Sequence, residues 1–85
     1  MLLELLGKKG TKEILLALEK SPGKFTELLD LLQPQITRRT LARRLRELES
    51  LNLIKRKLPE EPPGILYVVT PSGKQKIKLI REFEK

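Results

Sequence analysis

The chain contains no cysteine, no histidine and no tryptophan. Without cysteine there is no disulfide and no thiol chemistry. Without either Cys or His the usual zinc ligand sets are absent, so no metal site or cofactor is expected. The same two absences remove Ser–His and Cys–His nucleophilic pairs, which argues against an enzyme. Aromatics are scarce: Phe25, Phe83 and Tyr67 are the whole set. Any core must therefore be built mainly of leucine and isoleucine. No apolar run approaches the ~20 residues of a membrane span. The opening stretch, residues 1–6, is apolar but short and carries Glu4. It does not read as a secretion signal. The expected location is the cytoplasm, with no membrane partner.

What is present is charge and leucine. With 39% hydrophobic and 34% charged residues, the 85-residue chain reads as one globular domain, 1–85. A domain of this size buries only about 60–65% of its unfolded surface. That leaves little room for an effector pocket, so no small-molecule effector is expected. The net charge is +7, and its placement is more informative than its size. Residues 37–58 carry a net +6, and six of the seven arginines lie between 38 and 56. Lysine would suffice for a solvated surface. Arginine brings a planar fork that binds phosphates or guanine edges bidentately. High Lys, Glu and Leu, with one Met and no Cys, also suggest an archaeal or thermophilic source.

Residues 36–56 organise the reading. Thr37 can accept from the orphan N–H groups of a helix first turn. Leu41, Leu45 and Leu48 then recur at the spacing of one buried stripe. At 100° per residue, Arg39, Arg43, Arg46 and Ser50 fall on the opposite face. Arg44 lies about 60° from the stripe. It could equally pair within the chain, with Glu47 or Glu27. The pattern predicts a helix to about Leu51, with Asn52 as a left-handed cap.

The flanks supply a frame. A short apolar lead-in ends at Gly7. Gly10 or Thr11 caps a first helix whose buried side is Ile14, Leu15 and Leu18, and which stops at Ser21-Pro22-Gly23. Lys24-Phe25 reads as extended. Thr26 is the expected cap of a second helix ending near Leu32, before a turn at Gln33-Pro34-Gln35. Leu53 to Leu58 reads as a strand with a basic middle. Residues 59–64 hold three prolines and cannot be a strand interior. Residues 65–69 return as the second strand of a hairpin. Thr70-Pro71 opens a last helix, with Pro at the first helical position. A short helix, a tight turn and a longer basic helix make a helix-turn-helix. The expected fold class is α+β, mostly helical: a winged helix-turn-helix with an antiparallel β-hairpin wing.

These residues resemble the small winged-helix transcriptional regulators of the HxlR type, and more loosely the MarR and PadR groups. The resemblance covers roughly Leu5 to Lys76. It rests on residues 24–28, 36–49, Leu53-Ile54, the wing prolines Pro59, Pro62 and Pro63, and residues 67–70 leading to Gly73. It implies a homodimeric, sequence-specific binder of double-stranded DNA. It also implies that the helix carrying Arg39 and Arg43 enters the major groove, with the wing near the adjacent backbone. The chain departs from the pattern at Gly10, Gln35, Asn52 and Gly64. Gly64 and the acidic Glu60 and Glu61 remove a phosphate grip from the wing tip, which moves the wing's contact to its base.

Roles can then be assigned. Thr37, Arg38, Arg39 and Thr40 sit at the helix N-terminus, where free N–H groups and the dipole favour phosphate. Arg39 and Arg43 are the expected base readers. Arg38, Arg46, Lys55, Arg56 and Lys57 are the expected phosphate contacts. Leu2, Leu3, Leu6, Ile77, Ile80 and Phe83 exceed what so small a core needs, and are expected to form a two-fold dimer interface. As a DNA binder the protein is expected at the nucleoid within the cytoplasm. Two rival readings share the fold: a non-specific chromosome-coating protein, and a winged-helix protein-interaction module.

Overall fold

The computed structural model describes residues 7–57 and 65–83, without the side chain of Phe83. The elements run α1 (Thr11–Lys20), β1 (Gly23–Lys24), α2 (Phe25–Leu32), α3 (Arg38–Ser50), β2 (Ile54–Lys57), β3 (Leu66–Val69) and α4 (Pro71–Phe83). The strands form one antiparallel sheet in the order β1-β3-β2. Among the described residues, four helices and a three-stranded sheet in this order are a winged helix-turn-helix.

Gly10 caps α1 with φ 94°, in the left-handed region. A side chain there would be strained and would also run into Cδ1 of Ile36. That contact seats the turn between α2 and α3 beneath the start of α1. Glu13 and Lys20 occupy the first and last turns of α1, the signs that favour a helix dipole. Ile14, Leu15 and Leu18 are buried.

The second helix starts two residues earlier than its sequence suggests. Lys24 pairs with Leu66 in the sheet and is itself the cap residue. Its N–H donates to the Glu27 carboxylate at 2.8 Å. The expected cap Thr26 lies inside the helix and is exposed. The sheet pairing of Gly23 and Lys24 decides this, because it holds Lys24 extended and leaves Phe25 as the first helical residue.

Ile36, 2% exposed, anchors the turn before α3, and its N–H donates to the Leu32 carbonyl at 3.1 Å. Thr37 caps α3 as expected: its hydroxyl accepts from the Thr40 N–H at 3.2 Å. Leu41, Leu45 and Leu48 are buried to 1% exposure or less. The far end closes with Asn52 at φ 60°. The Leu53 N–H reaches the Leu48 carbonyl (3.0 Å) and the Asn52 N–H reaches that of Glu49 (2.9 Å). This pair of bonds is a Schellman closure, with Asn in the left-handed position usually held by Gly.

Thr70 joins the two halves. Its hydroxyl accepts from the Gly73 N–H at 2.9 Å, capping α4, and donates to the Asn52 carbonyl at 2.6 Å. Its own N–H donates to the Leu53 carbonyl at 3.0 Å. The end of α3, the start of β2 and the start of α4 are thus bonded to one threonine.

The core joins all four helices with Leu53 and Ile54. It corrects one expectation. Ile77 and Ile80, assigned to a dimer surface, are 0% and 8% exposed and lie in the protomer's own core. Periodicity showed that α4 has an apolar side; the first helix takes that side, and Arg81 and Glu19 form a two-bond ion pair alongside. Among the described side chains of α4, the outward apolar residue is Leu79, 48% exposed. Leu2, Leu3, Leu6, the Phe83 side chain, Leu58 and the wing tip 59–64 lie outside the described residues. Among the described residues no helix is long and apolar enough to cross a membrane.

Candidate nucleic-acid interface

The candidate surface is built on α3 and the base of the hairpin. Because Leu41, Leu45 and Leu48 face the core, Arg39, Arg43 and Arg46 are turned outward and exposed. Arg38, the first residue of the helix, is exposed too, and its guanidinium lies over the Phe25 ring at 5.6 Å from the centroid. Thr37 is exposed and Thr40 half-buried, and the Thr37 hydroxyl donates to that of Thr40 at 3.1 Å. The surface continues onto β2. Only Ile54 of that strand is buried; Lys55, Arg56 and Lys57 are all exposed. All nine residues assigned to DNA thus lie on α3, its cap or the adjoining edge strand.

Arg44 resolves to the structural alternative. It is 8% exposed. Its Nε donates to the Lys9 carbonyl at 3.1 Å, and its guanidinium pairs with Glu47 at 2.5 Å. Lys8 takes the other oxygen of Glu47 at 2.8 Å. The Lys8 ammonium foremost, and then Arg44, hold the Glu47 carboxyl below its ordinary pKa, against the opposing effect of burial. The network pins the turn before α1 to the back of α3.

Arg56 is not a free cation. Its Nε donates to Glu49 at 3.0 Å, which ties the base of the hairpin to the C-terminal half of α3. On either side of this bridge lie two open clefts. One, of about 390 Å³, runs between α3 and the sheet and is lined by Phe25, Leu45, Arg46 and Tyr67. The other, of about 470 Å³, is lined by Asn52, Ile54, Lys55, Lys57 and Ile65. Tyr67 stands opposite Arg56 in the sheet. Burial foremost, and then Glu49, raise its pKa, so its phenol stays neutral and able to donate.

The sequence reading missed three residues of this surface: Phe25, Glu49 and Tyr67. The aromatic pair left a signal in the composition. Two of only three aromatics in the chain line one cleft beside α3, and neither is fully buried. Among the described residues no cluster of three or more acidic groups could hold a metal ion.

An arginine-faced helix after a tight turn, continued by a basic edge strand, defines a winged helix-turn-helix of the nucleic-acid-binding type. The chain matches the profile of the HxlR-like helix-turn-helix family over residues 5–85, and it belongs to that family. It is similar to an HTH-type transcriptional regulator of Methanothermobacter thermautotrophicus, at 40% identity over 76 residues, covering 88% of this chain and 57% of the relative. It is also similar to the HTH-type transcriptional regulator YodB of Bacillus subtilis, at 37% identity over 70 residues, covering 81% of this chain and 62% of YodB. The chain thus spans about three-fifths of the length of these two relatives. Its fold superposes on the reduced form of YodB with a TM-score of 0.86 at 30% identity, over 96% of this chain and 80% of that one.

Proposed function

We propose that this protein is a transcriptional regulator that binds double-stranded DNA sequence-specifically as a homodimer in the cytoplasm, with residues 37–51 in the major groove. One observation carries the reading: Arg38, Arg39, Arg43 and Arg46 are exposed on α3 without a carboxylate partner among the described residues, and the same surface continues onto Lys55 and Lys57. The chain's remaining arginines, Arg44, Arg56 and Arg81, are each paired with a glutamate. Arg39 and Arg43 read base edges. Arg46, Lys55, Arg56 and Lys57 contact phosphates along the clefts between α3 and the hairpin base.

Dimerisation runs through the terminal segments, with Leu79 as the described apolar residue available to it. It would set two recognition helices roughly 34–36 Å apart, one turn of DNA. A monomer in sedimentation equilibrium at micromolar concentration contradicts it. Structures of YodB include diamide-treated and quinone-bound forms. Diamide oxidises thiols, and none of the 85 residues here is a cysteine. No thiol-based response of these 85 residues is therefore part of the proposal.

Selection from a random DNA library followed by mutation tests the reading. Arg39→Ala should change sequence preference at one base pair by about 1–3 kcal/mol. Lys57→Ala should weaken all sequences alike and reduce the salt slope by about one. Equal loss on every sequence from Arg39→Ala, with no sequence enriched by the parent protein, would instead fit a coating protein. Absence of DNA binding would fit a protein-interaction module.

A further inference from the structure

Resting on the DNA-binding reading, we infer that Arg38 reads a guanine rather than a phosphate, and that Phe25 is the residue that positions it. The two are the first residues of the two helices of the helix-turn-helix. Phe25 is held firmly. It follows Lys24, which is paired into the sheet and bonded to Glu27, and its ring packs half-buried against the core. Arg38 follows the Thr37 cap, so its backbone is fixed as well. At 5.6 Å from the ring centroid, its guanidinium is within the range of a cation–π contact.

The chemistry separates this arginine from its neighbours. A phosphate contact needs charge near an oxygen and tolerates many side-chain orientations. Bidentate contact to guanine O6 and N7 needs the plane of the fork to be set. A ring beneath the guanidinium restricts the positions the fork can take without occupying any of its N–H groups, which stay free to donate. It also adds no negative charge to a surface that must approach DNA. Arg56, on the same surface, is oriented differently: it is held by a carboxylate, which occupies an edge N–H and offsets the charge. Arg39, Arg43 and Arg46 show neither a ring nor a carboxylate partner among the described residues. Of the four unpaired helix arginines, Arg38 is the one whose orientation is prepared before DNA arrives.

The test uses the preferred sequence selected by the parent protein and its single-base-pair variants, with affinities measured for Phe25→Leu, Phe25→Tyr, Arg38→Lys and the double variant Phe25→Leu/Arg38→Lys. Arg38→Lys, which keeps charge but loses the fork, should lose discrimination at one G·C pair by about 5- to 150-fold. Phe25→Leu should lose about two- to fivefold at the same pair, with the salt slope unchanged. Phe25→Tyr should retain discrimination, and the double variant should be no worse than Arg38→Lys. Ratios between sequences on one preparation are independent of the folded fraction, so a loss of stability cannot imitate the result. Phe25→Leu weakening every sequence alike, or Arg38→Lys leaving discrimination intact everywhere, overturns the inference while leaving the DNA reading standing. A parent protein that shows no sequence preference overturns both.

Discussion

Gly73→Ala separates two ways of reasoning about this chain. Gly73 is the third residue of α4, and helix propensity alone favours alanine there by about 1 kcal/mol. The structure gives the opposite sign. A Cβ on Gly73 would overlap the Leu53 carbonyl oxygen and stand 3.0 Å from its carbon and 2.7 Å from Cγ1 of Val69. The Val69 methyl belongs to a side chain; the carbonyl cannot yield so easily. It accepts the Thr70 N–H at 3.0 Å, and the N–H of the same Leu53 closes α3 on Leu48. Relief means moving Leu53 off Thr70, at the junction of α3, β2 and α4. Overpacking costs about 1–3 kcal/mol, and a buried backbone group left unpaired costs about 1–3 kcal/mol more. Set against the propensity gain, the expected net destabilisation is about 3 kcal/mol. At about 4–8 °C per kcal/mol for a domain of this size, the melting temperature should fall by roughly 12–24 °C. Urea unfolding followed by circular dichroism measures the free energy directly. Gln75→Ala, exposed on the same helix, should stay within about 0.5 kcal/mol of the parent. A Gly73→Ala protein as stable as the parent, or more so, would show that the junction is looser than described.

Three further outcomes follow from the ion pairs. Arg44→Met keeps most of the apolar stem but loses the bonds to Lys9 and Glu47, and should cost about 1–3 kcal/mol in urea unfolding; an unchanged stability with a reduced salt slope on DNA would mean that Arg44 contacts DNA instead. Glu47 has its pKa lowered on folding, so its contribution to stability is intact above the ordinary glutamate value of 4.5 and is lost as pH falls through the lower folded value. Glu47→Gln should therefore be less stable than the parent at pH 7, and the difference should close in acid; a difference independent of pH would contradict the assignment. Glu49→Gln releases Arg56 and removes a carboxylate from the interface. It should tighten binding to all sequences and steepen the salt dependence by about one, and mobility shift at several salt concentrations reads both.

The parts of the fold that were legible in the sequence are those set within a few residues. Thr37, Asn52 and Thr70 act at helix ends through bonds to near neighbours, and each does what its residue type favours. Lys24 as a cap was half legible. A glutamate at the third helical position reaches back to the cap N–H, so Glu27 pointed to residue 24, but the hydroxyl of Thr26 drew the assignment. Settling it required the sheet pairing with β3, some forty residues away. Ile77 and Ile80 failed for a similar reason. Apolar periodicity reports that a face is buried and not which surface buries it. The candidate site was legible as a set of exposed arginines but not as an arrangement. That Arg56 answers to Glu49, and Arg38 to Phe25, depends on how α3 sits against the sheet and against α2.

The acids of α3 complete the electrical picture. Its two glutamates, Glu47 and Glu49, both lie in the C-terminal half. Each is engaged: Glu47 by Arg44 and Lys8, Glu49 by Arg56. The C-terminal half of the helix is thereby neutralised and tied to its surroundings on two sides. The N-terminal half carries Arg38, Arg39 and Arg43 with no acid of its own, and the positive end of the helix dipole adds to them. The charge along α3 is thus graded rather than uniform, strongest at the first turn. A helix graded in this way favours an approach to a polyanion by its N-terminus, the end at which the residues proposed to read bases lie. The ion pairs at the other end serve that approach indirectly: they fix the direction of the helix without lending a free charge to compete with it.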